Sequence, residues 1–161
     1  MPTEIERKFL VVGDHWRSHV RRSVRYRQGY LANNERCSVR VRTADGRAWL
    51  NIKSADLAVR RAEYEYPIDP AEAAEMLETL CERPLIEKTR HFVDWGGHTW
   101  EIDVFEGENA GLVVAELELD AEDQAFVPPP WVGREVSDDP RYYNVNLVKH
   151  PYREWGGSAE N

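Results

Sequence analysis

Charged residues recur at every second position in several short stretches of this sequence. The first stretch carries Glu4, Glu6 and Lys8, and a later one carries Arg40 and Arg42. Because successive side chains of a β-strand point to opposite faces, the charges of each set share one face of a strand. The other in-phase charges are Lys53, Glu63, Glu65, Lys88, Arg90, Glu101, Asp103, Glu116 and Glu118. The sequence therefore predicts a charged face on strand after strand.

The two kinds of charge on these faces suit two kinds of ligand. Carboxylates bind hard divalent cations such as Mg²⁺ or Mn²⁺. Arginine binds phosphate oxygens in bidentate pairs, and lysine binds them as a point charge. Together these side chains suit a phosphate chain that is bound with its metal, and they are the groups that stabilise phosphoryl transfer.

Antiparallel strands, separated by turns, must position these charges. Turn signals such as Asp45–Gly46 favour hairpins between stretches of alternating polarity. The predicted strands are 4–12, 37–43, 47–54, 61–69, 85–94, 99–105 and 112–120, with a weaker candidate at 24–31.

Two amphipathic segments are predicted to be helices. One covers residues 70–82, with Asp69 as its cap and Pro70 in its first turn, and the other lies at about 140–148. A third, short helix is expected from Asp120, before a proline-rich loop over 126–133. Each helix needs an apolar surface to cover.

The pattern alone leaves two arrangements open. In one, the charged faces look into solvent and the apolar faces form the core of a sandwich or barrel. In the other, the sheet closes into a barrel with the charges inside and helices on its apolar outside. The nearly pure charge of the faces and the in-phase acid pairs, which repel each other unless cations intervene, favour the second arrangement.

Composition narrows the class of protein. The 161 residues fit one domain, which we expect over 1–152, followed by a flexible tail over 153–161. A net charge of −8 argues against nucleic-acid binding, so the basic stretch 17–27 is read as a solvated face. The sequence shows no signal peptide, membrane span or metal-binding cysteine pattern, and we expect a cytoplasmic protein without membrane partners. A homodimer stays open.

The motif Glu4-Ile5-Glu6-Arg7-Lys8 resembles the signature of the CYTH superfamily, also called the triphosphate tunnel metalloenzymes. The similarity continues, in family order, through "RQGYL", "SVRVR", "NIKS", "RAEYE", "EKTR", "WEIDVFEG", "AELEL" and "RYYNVNL". The resemblance implies an α+β, mainly β fold: an eight-stranded antiparallel closed barrel, or tunnel, with a charged interior and flanking helices.

The same resemblance implies roles for individual residues. Tyr30 either plugs one end of the tunnel or packs on the barrel rim, and Glu101 is a weaker metal candidate. The implied phosphate-binding residues are Lys8, Arg40, Arg42, Lys53, Arg61, Lys88 and Arg90. The implied metal ligands are Glu4, Glu6, Glu63, Glu65, Asp103, Glu116 and Glu118.

Among family activities, hydrolysis of inorganic tripolyphosphate to pyrophosphate and phosphate fits this short chain best, with Mg²⁺ or Mn²⁺ as cofactor. Lys88, Glu4 and Glu6 are the candidate catalytic residues, with Lys88 nearest the bond that breaks. One metal would bridge phosphate oxygens and a second would activate water.

The alternatives are a class IV-type adenylate cyclase, a thiamine triphosphatase and a noncatalytic polyphosphate-binding module. For a thiamine ring, Trp49 stays open as a stacking partner. Trp100 lies opposite the acids and is expected to pack under a helix.

Overall fold

A computed structural model describes residues 2–55 and 59–156, and these residues form a barrel of antiparallel strands with two α-helices. The strands are β1 (Thr3–Val11), β2 (Val20–Asn33), β3 (Cys37–Ala44), β4 (Arg47–Ser54), β5 (Arg60–Pro67), β6 (Ile86–Trp95), β7 (His98–Phe105), β8 (Val113–Glu118) and β9 (Val132–Glu135). The helices are α1 (Pro70–Thr79) and α2 (Asn144–Lys149), and short 3₁₀ turns lie at His15–His19, Gly107–Asn109, Pro140–Tyr142 and Tyr152–Glu154.

Eight of the strands close into a barrel. The strand order is β5-β4-β3-β2-β6-β7-β8-β1-β9, and an additional β5–β1 pairing joins the ends of the eight-stranded part. All of these pairings are antiparallel. The closed eight-stranded barrel predicted from the sequence is therefore confirmed.

The seam that closes the barrel is short. Among the described residues, β1 pairs with β5 over Thr3–Ile5, and one further backbone hydrogen bond joins Glu6 to Val59. Further along its length, β1 pairs with β9 at Phe9 and Val11. Strand β9 was not predicted from the sequence. It is followed by the Pro140–Tyr142 turn and by α2, whose first residues reach the barrel interior.

The apolar faces of the strands lie outside the charged interior and are covered by other parts of the chain. Helix α1 is capped by the Asp69 side chain, which accepts a hydrogen bond from the Ala71 N–H at 2.8 Å. Its buried residues Ala73 and Leu77 pack in a cluster with Val41 of β3. The structure thus shows the second of the two arrangements left open by the sequence, with charges inside and helices outside.

A larger apolar cluster includes Trp100 and also Trp16 of the His15–His19 turn, and loop residues pack directly on Trp100. Trp100 makes edge-on ring contacts with Phe126 and Trp131, both in the segment between β8 and β9. The expectation that Trp100 packs under a helix is therefore wrong, as is the short helix from Asp120, where the chain forms bends and turns.

The bounds of three predicted segments also differ from those in the structure. Strand β2 runs from Val20 to Asn33, well beyond the predicted 24–31, and α1 ends at Thr79 rather than residue 82. Of the predicted tail over 153–161, residues 153–156 are described. Trp155 among them is buried, with its ring 5.1 Å from that of Tyr142, so the packed chain extends at least to Trp155.

Candidate active site

The barrel encloses a polar chamber of about 230 Å³ that brings together nearly all the charged residues predicted for the site. Each strand from β1 to β8 contributes a predicted site residue to its wall, and the residue from β7 is the weaker candidate Glu101. The residues that line it are Glu4, Glu6, Lys8, Tyr26, Tyr30, Ser38, Arg40, Arg42, Asn51, Lys53, Arg61, Glu63, Glu65, Lys88, Arg90, Glu101, Glu116, Glu118, Tyr143, Asn144 and Val145. Asp103 is the one predicted site residue that is not in the lining.

Acids and bases in the wall hold each other by short ion pairs. Glu4 accepts from Lys53 at 3.0 Å and from Arg61 at 3.3 Å. Burial alone would raise the pKa of Glu4, but these two cations hold it below its usual value. Glu116 is paired with Lys8 at 3.1 Å and with Arg90 at 2.7 Å, and it keeps a pKa well below the ordinary value despite its burial.

Asp103 is buried behind two cations of the wall. Its carboxylate accepts from Lys88 Nζ at 2.6 Å and from two nitrogens of Arg90 at 2.8 and 2.9 Å. These donors lower the pKa of Asp103 in spite of its burial. The geometry orients Lys88 and Arg90 rather than presenting the Asp103 carboxylate to the chamber.

Arg40 has the property expected of an anion-binding residue. It is buried, it lines the chamber, and its Nε atom has no hydrogen-bond partner among the described residues. Burying an unpaired guanidinium N–H is costly, and a phosphate oxygen in the chamber would remove that cost. Arg42 beside it has its pKa lowered to about 10 by burial and by the neighbouring Arg40 and Arg90, so an anion there would also relieve repulsion between cations.

Three carboxylates form the group best placed to bind a metal ion. Oxygens of Glu6, Glu101 and Glu116 lie within 4.8 Å of one another. The pKa of Glu6 is raised to about 8 by burial and by the negative charges of Glu116 and Glu4. A divalent cation would remove the repulsion within this oxygen-only donor set, so the residues fit Mg²⁺ or Mn²⁺. Glu101, the weaker candidate in the sequence, thus belongs to the tightest acid group.

The remaining predicted acids lie elsewhere in the chamber wall. Asn51 donates from Nδ2 to Glu63 at 2.9 Å and to Glu65 at 3.3 Å, so an amide holds this acid pair. Glu118 is more exposed, and its pKa is raised by partial burial and by nearby acids, Glu4 foremost. All three line the chamber with Glu4 and Glu6.

Lys88 is the most deeply placed cation of the site. Its side chain is fully buried, and its pKa is lowered to about 7 by that burial and by Arg90 and Arg42, against the opposing effect of Asp103. Its Nζ also donates to Asn144 Oδ1 at 3.2 Å. An anion near Nζ would favour the charged form.

The sequence prediction missed several lining residues. Tyr26 and Ser38 lie in phase with predicted site residues of their own strands, Tyr30 and Arg40, so alternation alone was a usable signal for them. Tyr143, Asn144 and Val145 come from the start of α2, and only the motif "RYYNVNL" pointed to them. Tyr30 lines the chamber and is also buried in the cluster with Leu10, so both of its predicted roles remain predictions.

A second cavity, of about 460 Å³, shares Tyr26 with the chamber. It is lined by Arg22, Val24, Tyr26, Ala44, Asp45, Arg47 and Trp49. Trp49 therefore lies beside the chamber rather than in it.

The fold and the site define a class: antiparallel β-barrels whose interior carries cationic side chains together with a group of clustered acids. The chain belongs to the CYTH domain family, which it matches over residues 2–151. No helix in the described part of the chain is long and apolar enough to span a membrane.

Two curated relatives and one solved structure extend this comparison. An inorganic triphosphatase of Acetivibrio thermocellus is 50% identical over 155 residues, which are 96% of this chain and 99% of the relative. An inorganic triphosphatase of Nitrosomonas europaea is 40% identical over 150 residues, which are 91% and 97% of the two chains. The crystal structure of an inorganic triphosphatase matches with a TM-score of 0.65 and 39% identity, covering 92% of this chain and 95% of the other.

Proposed function

We propose that this protein is a metal-dependent triphosphatase that hydrolyses inorganic tripolyphosphate to pyrophosphate and phosphate. One observation carries the proposal: the same chamber is lined by cations and by clustered acids. The cations include Arg40, whose Nε has no partner among the described residues, and the acids are Glu6, Glu101 and Glu116. The two curated relatives, both inorganic triphosphatases, support the same activity. An anion-binding module alone would not need the acids.

The basic residues bind and orient the phosphate chain. Arg40 and Arg42 lie two residues apart on the same face of β3, and both offer guanidinium donors to phosphate oxygens. Lys53 and Arg61 come from the strands on the seam side of β3, and both are already oriented by Glu4. Lys8, Lys88 and Arg90 complete the set from β1 and β6.

The acidic residues bind the metal. Glu6, Glu101 and Glu116 would hold Mg²⁺ or Mn²⁺. Glu4 orients Lys53 and Arg61, and Glu63, Glu65 and Glu118 would add negative charge around the cation. When bound, the cation withdraws charge from phosphate oxygens and lowers the pKa of water. In place of the predicted metal-ligand role, we assign Asp103 a positioning role, because it is absent from the chamber lining and its oxygens accept from Lys88 and Arg90.

Lys88 stabilises the charge that develops as the phosphoanhydride bond breaks. Its Nζ is fixed by Asp103 and Asn144 before substrate enters, so little reorganisation is needed during the reaction. Because Nζ is buried, its field acts in a medium of low dielectric constant, where it stabilises charge more strongly than in water.

Organic triphosphates are a second class of candidate substrate, and the second cavity favours them. Trp49 and Tyr26 offer ring faces, and Arg22 and Arg47 offer positive charge, next to the phosphate-binding chamber. A thiamine or nucleoside group attached to the chain fits that description. An adenylate cyclase would use the same cavity.

Phosphate release from tripolyphosphate, ATP and thiamine triphosphate, each with Mg²⁺, Mn²⁺ or EDTA, tests the proposal. We expect metal-dependent release from tripolyphosphate that is lost in Glu6→Gln and kept in Glu75→Gln, a matched change on the exposed face of α1. Formation of cyclic AMP and pyrophosphate from ATP would identify a cyclase. Binding of tripolyphosphate without turnover of any substrate would leave a binding module.

A further inference from the structure

Two neutral amides stand between cations in the charged interior of the barrel. Gln28 on β2 is fully buried, directly opposite Arg42 of β3 and, on its other side, opposite Ile86, two residues before Lys88 on β6. Asn144 is the first residue of α2 and lines the chamber. Neither residue carries the charge that marked the rest of the site in the sequence.

Hydrogen bonds join these amides into a chain between two cations. Arg42 Nε donates to Gln28 Oε1 at 3.1 Å, and Gln28 Nε2 donates to Asn144 Oδ1 at 3.4 Å. Lys88 Nζ donates to the same Asn144 oxygen at 3.2 Å. The two ends of this hydrogen-bonded series, Arg42 and Lys88, are charged donors that cannot accept, so each amide must turn its oxygen toward a cation. The two terminal cations therefore fix the donor and the acceptor of every hydrogen bond in the series.

An amide oxygen fixes a cation without neutralising it. A carboxylate at either position would orient the cation equally well, but its negative charge would oppose phosphate binding. Arg90, by contrast, is paired with Asp103 and Glu116, and Lys88 is paired with Asp103. Arg42 has no ion pair with an acid among the described residues, and Gln28 is its side-chain acceptor there.

We propose that Gln28 and Asn144 form a neutral amide bridge that positions Arg42 for phosphate binding and Lys88 for the reaction. The bridge leaves the charge of Arg42 available to the substrate, and it adds no second negative charge beside Lys88, which Asp103 already pairs. Both are positioning residues, and the proposal rests on the proposed function. The bridge also ties the start of α2 to the chamber, where Lys8 Nζ donates to the neighbouring Tyr142 carbonyl at 3.3 Å.

Isosteric charge changes test the bridge. We expect Gln28→Glu to raise the KM for tripolyphosphate about tenfold, with a smaller change in kcat, because a carboxylate then competes with phosphate for Arg42. Asn144→Asp should lower kcat about tenfold with KM changed less than about threefold, because Lys88 then faces a second carboxylate. The matched controls are Gln124→Glu and Asn34→Asp, whose side-chain oxygens accept only backbone N–H groups and keep those bonds.

Unchanged kcat and KM in both variants would overturn the bridge, as would a loss of thermal stability with unchanged kinetics of the folded enzyme. If Gln28→Glu does not fold, the variant Asn144→Ala, at a half-buried position, is used instead. Removing the amide acceptor should lower kcat with little change in melting temperature. If the wild type hydrolyses no triphosphate, the proposed function fails. The bridge is then judged by calorimetric binding of tripolyphosphate in EDTA, which Gln28→Glu should weaken about tenfold relative to Gln124→Glu.

Discussion

Replacing Glu6 by glutamine should stabilise the metal-free protein while abolishing its activity. Glu6 lies beside Glu116 and Glu4, and burial together with their charges raises its pKa to about 8. In the unfolded chain the same carboxyl has an ordinary pKa of 4.5. Between these values the folded protein holds a proton that the unfolded chain has released, so stability falls as pH rises from about 4.5 to about 8.

The size of the effect follows from that difference. At pH 7, the cost of holding the proton is about 3 kcal/mol, obtained from the interval between 4.5 and 7 at about 1.36 kcal/mol per pH unit. Glutamine hydrogen-bonds like the neutral acid without taking up a proton, so Glu6→Gln removes this cost. The figure is an upper value because Glu4 and Glu116 respond to the same change. For a chain of this length, it corresponds to a rise in melting temperature of roughly 6–12 °C.

The assay is thermal unfolding in EDTA over pH 5 to pH 8, with and without Mg²⁺. The gap between Glu6→Gln and wild type should widen as pH rises, and Mg²⁺ should stabilise the wild type more than the variant. Glu116→Gln is the matched control with the opposite sign, because it removes the shared partner of buried Lys8 and Arg90. A Glu6→Gln protein that melts below wild type in EDTA at pH 7 would refute the reasoning.

Three further changes have distinct expected results. Lys88→Ala should lower kcat by about 100-fold with a much smaller change in KM, measured by steady-state phosphate release, whereas equal losses would indicate a plain binding role. Trp49→Ala should leave tripolyphosphate hydrolysis within about twofold of wild type and raise the KM only for triphosphates that carry a ring; an equal effect on tripolyphosphate would place Trp49 in the phosphate site. Leu147→Ala should cost about 3 kcal/mol in urea unfolding, because Leu147 is fully buried between α2 and the barrel, and a cost near zero would contradict that packing.

The alternation of charge made most of the site visible in the sequence. Strand phase alone put Arg40 with Arg42 and Lys88 with Arg90 on shared faces, and the structure has all four in or along the chamber wall. Phase did not say whether those faces look inward, because a solvent-facing sheet shows the same alternation. The closed barrel came from the family resemblance, and the structure confirms it.

Phase also says nothing about which side chains meet across the barrel. Asp103 has the same phase as Glu101, yet Asp103 is held by Lys88 and Arg90 behind the chamber wall. Glu101, which also pairs with Arg90, lines the chamber close to Glu6 and Glu116. That difference depends on side-chain reach and on neighbouring strands, which a single strand pattern does not contain. Asn144 was harder to predict as a site residue. It reaches the chamber from a short helix, and its neutral side chain does not belong to the pattern of alternating charge.

The way β1 is held has a consequence for how the chain acquires its structure. One edge of β1 pairs with β8, and the other is divided between β5 and β9. Lys8 hydrogen-bonds to Ser137, 129 residues away in the sequence, and Glu6 pairs in register with Glu118. During synthesis, β1 therefore waits without its long-range partners until β8 and β9 have emerged, and contacts of such long range make folding slow. The three acids that would bind the metal come from β1, β7 and β8, so metal binding becomes available only late in folding and would report that the barrel has closed.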